Sequence, residues 1–142
     1  MTKRIRTSRL LLAACAMALS ACGSSTSTPT PTASPTRTTD TFAGTLAQGG
    51  ATYHLFNVVA QGQVDITLTK TEPLATITLG LGIGQTSGGQ CIPVLLAYNN
   101  AAVAGTVMSG TAAIGAYCAV VYDLGNVAAE NPVTYTVTVT HP

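Results

Sequence analysis

Residues 133–140 read Val-Thr-Tyr-Thr-Val-Thr-Val-Thr, an unbroken alternation of threonine with apolar or aromatic residues. Successive side chains of a β-strand point to opposite faces of the sheet. The stretch therefore predicts a strand that buries Tyr135, Val137 and Val139 and leaves its threonines in water. Residues 63–70 alternate in the same way, and such alternation is typical of antiparallel sheets with one wet face.

Comparable segments recur along residues 42–142, and turn residues rich in Gly, Asn and Pro separate them. We expect strands at 41–46, 51–59, 63–70, 75–83, 91–98, 103–109, 115–122 and 133–141. About eight short strands at this spacing predict an all-β, antiparallel β-sandwich or a small barrel. The alanine-rich residues 101–113 favour one helical turn at most, because Gly105 and Gly110 oppose a longer helix.

The N-terminus has the organisation of an export signal. Four of the six basic residues fall within residues 1–9, and residues 10–19 form an apolar run. That run is too short for a good transmembrane helix, which needs about 20 apolar residues. A positive segment followed by a short apolar core is typical of a secretory signal helix, which we assign to residues 1–21.

The signal ends in Leu19-Ser20-Ala21-Cys22, which resembles the bacterial lipobox. The resemblance implies cleavage before Cys22, a diacylglycerol on its thiol and acylation of the new amine. Two acyl chains already anchor a protein stably, so we expect a lipid-anchored protein of the bacterial cell envelope. Gly23 is compatible with transport to an outer membrane in a host that has one. The alternative is an ordinary signal peptide with a cysteine at the cleavage site by chance.

Residues 22–41 are predicted to be the lipidated cysteine and a disordered linker. Fifteen of residues 23–41 are Ser, Thr or Pro, a composition that cannot bury enough apolar area to offset the entropy of ordering. If extended, such a linker spans up to roughly 60 Å. It would hold the domain of residues 42–142 away from the bilayer.

Charge excludes one class of partner. Only 8% of the residues are charged, and beyond residue 22 the basic residues Arg37 and Lys70 face five acidic ones. Nucleic-acid binding needs a basic stripe, so we expect no nucleic-acid partner. The partner predicted instead is an envelope protein or a glycan, in addition to the membrane that Cys22 engages.

The four cysteines have three predicted fates. Cys15 lies in the signal core and leaves with it, and Cys22 is the lipid site. Cys91 and Cys118 remain in an oxidising compartment, where a disulfide is the expected state. The alternatives are a reactive thiol or zinc ligation, for which only two histidines could complete the usual four ligands.

The sequence offers little for catalysis, and we predict no enzyme, no catalytic residue and no cofactor. His54 falls on the same face of its predicted strand as Phe56 and Val58, and this apolar face favours a structural role for the histidine. His141 lies near the end of the chain, where we expect fraying. Residues 80–84, Gly-Leu-Gly-Ile-Gly, are not followed by the helix of a phosphate-binding loop. We expect a strand whose glycines allow close packing.

Two further groups of side chains are candidates for binding. Asp123, Asn126 and Glu130 cluster in one long turn and carry oxygens that suit calcium. Their spacing matches no calcium loop, so we prefer capping of the turn and predict no metal. Tyr53, Tyr98 and Tyr122 form a possible binding surface, the alternative being cross-strand packing on a wet face.

Residues 42–142 resemble a bacterial pre-peptidase C-terminal domain. The likeness rests on Phe42-Ala-Gly-Thr-Leu, Tyr53-His-Leu-Phe-Asn-Val and Gly62-Gln-Val-Asp-Ile-Thr-Leu, and on the closing Tyr135-Thr-Val-Thr-Val. It implies a jelly-roll-like sandwich of a kind that serves secreted hydrolases as an accessory domain and also stands alone on lipoproteins. Some members bind carbohydrate or fibrous protein, and some carry calcium. We expect no attached hydrolase, and the acidic residues that often precede the second segment are missing here.

The resemblance and the scarce chemistry together predict a non-catalytic binding or scaffolding domain. The alternative is a carbohydrate-binding accessory module that acts beside a separate secreted hydrolase.

Overall fold

The computed structural model describes residues 34–142. This part of the chain is all-β. Its strands are β1 (Thr38–Leu46), β2 (Ala51–Val58), β3 (Gly62–Glu72), β4 (Leu79–Ser87), β5 (Gln90–Ala102), β6 (Val107–Ala112), β7 (Gly115–Tyr122) and β8 (Val133–His141). The predicted signal peptide, Cys22 and most of the predicted linker lie outside the described residues.

The eight strands form two antiparallel four-stranded sheets arranged as a sandwich. The strand order is β1-β8-β3-β6 in sheet A and β2-β7-β4-β5 in sheet B. The chain changes sheet at every connection except the one between β4 and β5. The predicted all-β class and antiparallel sandwich are therefore confirmed.

The core lies between the sheets and is built by the period-two alternation. Val64, Ile66 and Leu68 of β3 are fully buried, and so are Val137 and Val139 of β8. Burying an aliphatic side chain of this kind contributes about 1.5–3 kcal/mol. The inward and outward faces predicted for these two strands are confirmed.

Some strand bounds differ from those predicted. Residues 38–40, assigned by composition to the linker alone, belong to β1, where Thr38 pairs with His141. Residues 75–78 form a turn, and β4 begins only at Leu79. Likewise Val103–Thr106 closes a turn around Gly105, whose φ of 93° suits glycine. No helical turn forms between residues 101 and 113.

The sandwich has two distinguishable ends. Residues 34–37 lead into β1 at what we call the linker end, where Thr38, His141 and Gly62 lie. The opposite, far end carries the β1–β2 turn and the loop after Tyr122, and Asp123 N–H donates to the carbonyl of Gly50 at 2.9 Å. Strand β1 has nine residues, so the two ends are about 26 Å apart.

Candidate binding site

Tyr53, Tyr98 and Tyr122 line one open cleft of about 450 Å³ on the outer face of sheet B, near the far end. We call it the tyrosine trough. The sequence suggested these three residues as one possible binding surface, and the folded chain brings them together. The complete lining is Ala51, Tyr53, Leu95, Tyr98, Asn100, Val120, Tyr122 and Leu124.

Strand register explains why the tyrosines meet. Tyr53 of β2 lies opposite Val120 of β7, Val120 lies opposite Gly82 of β4, and Gly82 lies opposite Tyr98 of β5. One row of residues across sheet B thus has Tyr53 at one end and Tyr98 at the other. Val120 and Gly82, which lie between them, have a short side chain and none, and so form a low floor. Tyr53 is 46% exposed and Tyr98 is 64% exposed, so these two side chains form the walls of the trough.

The glycines of β4 make the floor low. Gly80, Gly82 and Gly84 face outward, alternating with leucine and isoleucine side chains that enter the core. A Cβ at Gly80 would overlap the ring of Tyr122, and one at Gly82 would lie 3.1 Å from Leu95. The expectation that these glycines serve close packing in a strand is confirmed.

Tyr122 is held in a defined position. Its ring lies across Gly80, in space that any other residue would fill. Its hydroxyl donates a hydrogen bond to Oδ1 of Asn100 on β5. Burial, followed by the neighbouring Tyr98, raises the pKa of Tyr122, so the hydroxyl stays protonated and donating at physiological pH.

The trough carries no charged side chain among its lining residues. The two basic residues of the described chain are paired elsewhere, Arg37 with Asp65 at 2.5 Å and Lys70 with Glu72 at 2.9 Å. These four residues belong to sheet A or to the segment that leads into it. The polar groups of the trough are therefore neutral hydroxyls and one amide.

Cys91 and Cys118 lie at disulfide distance, with their Cα atoms 5.9 Å apart. The bridge crosses Gly84, where an added Cβ would lie 2.9 Å from the sulfur of Cys118 and 3.2 Å from that of Cys91. It joins β7 to the start of β5 on the face that bears the trough, and Leu95 lies between the bridge and Tyr98 along β5. The predicted pairing of the two cysteines thus agrees with their separation.

His54 occupies a structural environment at the edge of the core. Its Nε2 lies 2.7 Å from the hydroxyl of Tyr135, which also contacts the hydroxyl of Thr52. Its ring stacks on Phe42 with centroids 4.9 Å apart. Burial lowers the pKa of His54, so the neutral imidazole serves as a hydrogen-bond partner that links the two sheets.

Asp123 caps the turn that follows β7. Oδ1 accepts hydrogen bonds from the amides of Gly125, Asn126 and Val127, and Oδ2 accepts one from Gly49 at 2.8 Å. Burial alone would raise the pKa of Asp123, but these four backbone hydrogen bonds lower it below its ordinary value.

The other two calcium candidates do not join this carboxylate in a cluster. The Asn126 side chain donates to the carbonyl of Thr78 at 2.9 Å, and Glu130 is exposed. Within residues 34–142 no three His, Cys, Asp or Glu side chains gather in a way that could hold a metal ion.

His141 differs from the expectation of a fraying end. It is 7% exposed, its Nε2 donates to Oδ2 of Asp40 at 3.1 Å, and its ring lies against Phe56. The carbonyl of Pro142 accepts a hydrogen bond from Val59 at 3.0 Å, which holds the end of β8. His141 lies two residues after the buried Val139, on the same face of β8, and this was the sequence signal for its burial. The predicted fraying is wrong.

Sequence reasoning missed Asn100 and Gly80 as parts of the trough. Gly80 had a signal, because glycines alternate with aliphatic residues along β4 and mark a face without side chains. Asn100 had none, because its position beside Tyr122 depends on the register shifts between β4 and β5.

Among the described residues, no helix has the length and apolar character needed to cross a membrane. The chain matches no protein-family model, and no curated protein is significantly similar to it.

Proposed function

We propose that this protein is a lipid-anchored lipoprotein of the bacterial cell envelope whose β-sandwich is a non-catalytic binding domain. The tyrosine trough is its binding surface. The single observation that carries the proposal is the meeting of Tyr53, Tyr98 and Tyr122 in one uncharged cleft of about 450 Å³. Exposed aromatic side chains that converge on a cleft are typical of binding sites, since they supply large contact area at low entropic cost.

The position of the trough supports display away from the anchor. The predicted lipid on Cys22 would connect to the sandwich through residues that lead into β1 at the linker end. The trough lies near the far end, beside Ala51 and Leu124. The chain that would lead from the lipid, in an inner membrane or, where the host has one, an outer membrane, therefore enters the sandwich at the end opposite the trough.

The finer fold assignment is a jelly-roll-like sandwich related to the pre-peptidase C-terminal domain. The strand orders β1-β8-β3-β6 and β2-β7-β4-β5 support it. They are the orders that a chain generates when a long antiparallel ribbon, with β4 and β5 at its tip, folds into two sheets. The family resemblance rests on the sequence segments quoted above.

The non-catalytic assignment rests on the placement of the titratable groups. His54 is engaged with Tyr135, and Asp123 is engaged with four backbone amides. Neither residue lines the tyrosine trough, and general acid–base catalysis needs such a group within reach of the bound substrate.

Capture of envelope material by the purified full chain tests the proposal. Tyr53→Ala and Tyr98→Ala should each abolish most of the specific capture. Leu55→Ala is the matched control, because Leu55 is 49% exposed on the same strand as Tyr53 but does not line the trough. Capture that is equal in all four proteins contradicts the assignment of the surface. Hydrolytic turnover that disappears in His54→Ala contradicts the non-catalytic assignment.

A carbohydrate-binding accessory module beside a separate hydrolase is the second candidate. The exposed rings of Tyr53 and Tyr98 on either side of the trough favour it, because apolar sugar faces stack on aromatic rings. Measuring a partner hydrolase on insoluble glycan with and without this protein separates the two. Only an accessory module raises the rate.

A further inference from the structure

We infer that the outer face of sheet B is the contact surface of a two-fold dimer, in which a second copy of this chain covers the tyrosine trough. This inference rests on the proposed binding function and names the partner of the same site.

The first observation is the distribution of charge between the two sheets. None of the residues of β2, β4, β5 and β7 is Asp, Glu, Lys or Arg. Every such residue on a described strand belongs to sheet A, namely Asp40 of β1 and Asp65, Lys70 and Glu72 of β3. About a quarter of the residues of a soluble domain are usually charged, and charged residues are depleted at the centre of protein interfaces. Sheet B therefore has the composition of a covered surface.

The second observation is that this uncharged sheet exposes large apolar side chains. Tyr53, Tyr98 and Leu124 are between 40% and 64% exposed, and all three line the trough. Contiguous apolar surface on a soluble protein marks a site of interaction.

The shape of the face favours a second copy as its partner. The trough is concave, with a volume of about 450 Å³, so a partner must carry side chains that project into it. A second copy presents such side chains, because its own Tyr53 and Tyr98 rise on either side of the floor formed by Val120 and Gly82. Packed β-sheets fill the space between them in this way, by interdigitating the side chains of the two facing surfaces.

The absence of charge makes the face compatible with its own copy. In a two-fold dimer the same patch lies on both sides of the interface, so a charge near the axis would lie beside an identical charge. The only histidine of the four strands, His54, bonds to Tyr135 at the edge of the core and adds no charge to the outer face. The face therefore meets itself without repulsion.

The basic residues speak against a bilayer as the partner. Attachment of a protein face to a membrane surface is strengthened by Lys and Arg near anionic headgroups. Arg37 and Lys70, the basic residues of the described chain, are paired with Asp65 and Glu72 at sheet A. Sheet B thus lacks the charges that would hold it on a membrane.

The area of the face sets the strength of the dimer. Four strands at about 4.8 Å spacing span roughly 19 Å, and the eight residues of β2 or of β7 extend about 26 Å. The face therefore offers at most roughly 500 Å² per copy, or about 1,000 Å² per dimer, which is the lower limit for specific interfaces. Such a dimer is weak in dilute solution. The lipid proposed on Cys22 would confine both copies to one membrane and raise their effective concentration.

Two measurements on the full chain test the inference. Photo-oxidative tyrosine crosslinking in its own membranes, with persulfate as the oxidant, should give a product of doubled mass that is joined through Tyr53 or Tyr98. Sedimentation equilibrium in a density-matched polyoxyethylene detergent should show a monomer–dimer equilibrium with a dissociation constant of about 100 μM or tighter.

The variants locate the contact. Tyr53→Arg and Tyr98→Arg each bury an unpaired charge in the dimer, so each should weaken association by about tenfold or more. Tyr98→Phe keeps the ring and should dimerise as the wild type does. Thr134→Arg is the matched control, because it adds the same charge at an exposed position of β8 in sheet A. Tyr53 and Tyr98 are exposed in the single chain, so their replacement should preserve the fold, which circular dichroism checks.

A wild type that stays monomeric up to about 1 mM overturns the inference, and so does a dimer that survives both arginine substitutions in sheet B. A monomer whose tyrosine fluorescence is quenched by brominated phospholipids assigns the face to the bilayer and also overturns it. If a monomeric wild type still captures envelope material through its tyrosines, the inference falls and the proposed function stands with a different partner. If that capture is also independent of the tyrosines, both fall.

Discussion

The bridge between Cys91 and Cys118 makes the most quantitative prediction. Replacing both residues by alanine removes a crosslink across a sequence separation of 27. In the chain-entropy account a loop of that length contributes about 3.5 kcal/mol by restricting the unfolded chain. The Cα separation of 5.9 Å lies within the range of unforced bridges, about 4.4–6.8 Å, so we expect no offsetting geometric cost.

Urea denaturation followed by circular dichroism measures this difference directly. The double alanine variant should lose about 3.5 kcal/mol of unfolding free energy, and its melting temperature should fall by roughly 15–25 °C. Adding a reductant should bring the wild type close to the variant and leave the variant unchanged. The reasoning is refuted if the loss is below about 1 kcal/mol. It is also refuted if thiol titration of the denatured, unreduced wild type finds both cysteines free.

Three further changes give separate expectations. Cys22→Ser should abolish the incorporation of labelled palmitate, and failure of the wild type to take up the label contradicts the lipid anchor. Asp123→Asn should cost about 1–2 kcal/mol through weaker capping. Because the folded pKa of Asp123 is lowered, its contribution is present above the ordinary value of 3.8 and is lost as the pH falls through the folded pKa. The variant's pH–stability profile should therefore be flatter in acid, and an unchanged slope counts against this. His54→Gln should remove the loss of stability that the wild type shows as the pH falls below 6.5, since burial lowers the pKa of His54; parallel curves for the two proteins would contradict it.

The fold is most predictable from the sequence where a strand buries only one of its two faces. Val64 and Val137 lie on strands whose inward aliphatic side chains are buried and whose outward side chains are half-buried or exposed, so polarity alone reports their direction. The same rule fails at Ile77, which continues the alternation of β4 but lies in the turn before it. Ile77 packs against the core without strand pairing. Apolar alternation therefore predicts which side chains are buried. Where a strand begins or ends depends on its hydrogen bonds to adjacent strands, which alternation does not show.

The candidate site was also predictable only in part from the sequence. Strand alternation correctly predicted that Tyr53 and Tyr122 face away from the core, because Phe56 and Val121, at inward positions of the same strands, are buried. Their closeness to Tyr98 depends on which strands are adjacent and on the register shifts of β5. Those are properties of residues far apart in the chain, and no local pattern encodes them.

The contact between Asp40 and His141 shows why composition alone placed the boundary between linker and sandwich too late in the chain. Both residues share the inward parity of their strands, with Phe42 on β1 and Val139 on β8. The threonine-rich sequence around Asp40 matched the linker more closely than the sandwich. Asp40 and His141 are 101 positions apart in the sequence, and they meet only because β1 pairs with β8.

The central claim, that the protein binds its ligand in the tyrosine trough, is tested most directly by amide NMR titration of the labelled full chain with the solubilised envelope material of the capture assay. The account predicts that chemical-shift changes concentrate at Tyr53, at residues 95–100 and at residues 120–124. The opposite sheet, including Thr136 and Lys70, should stay unchanged. Shift changes centred on sheet A or on the linker end, or no shift changes at all, would contradict it.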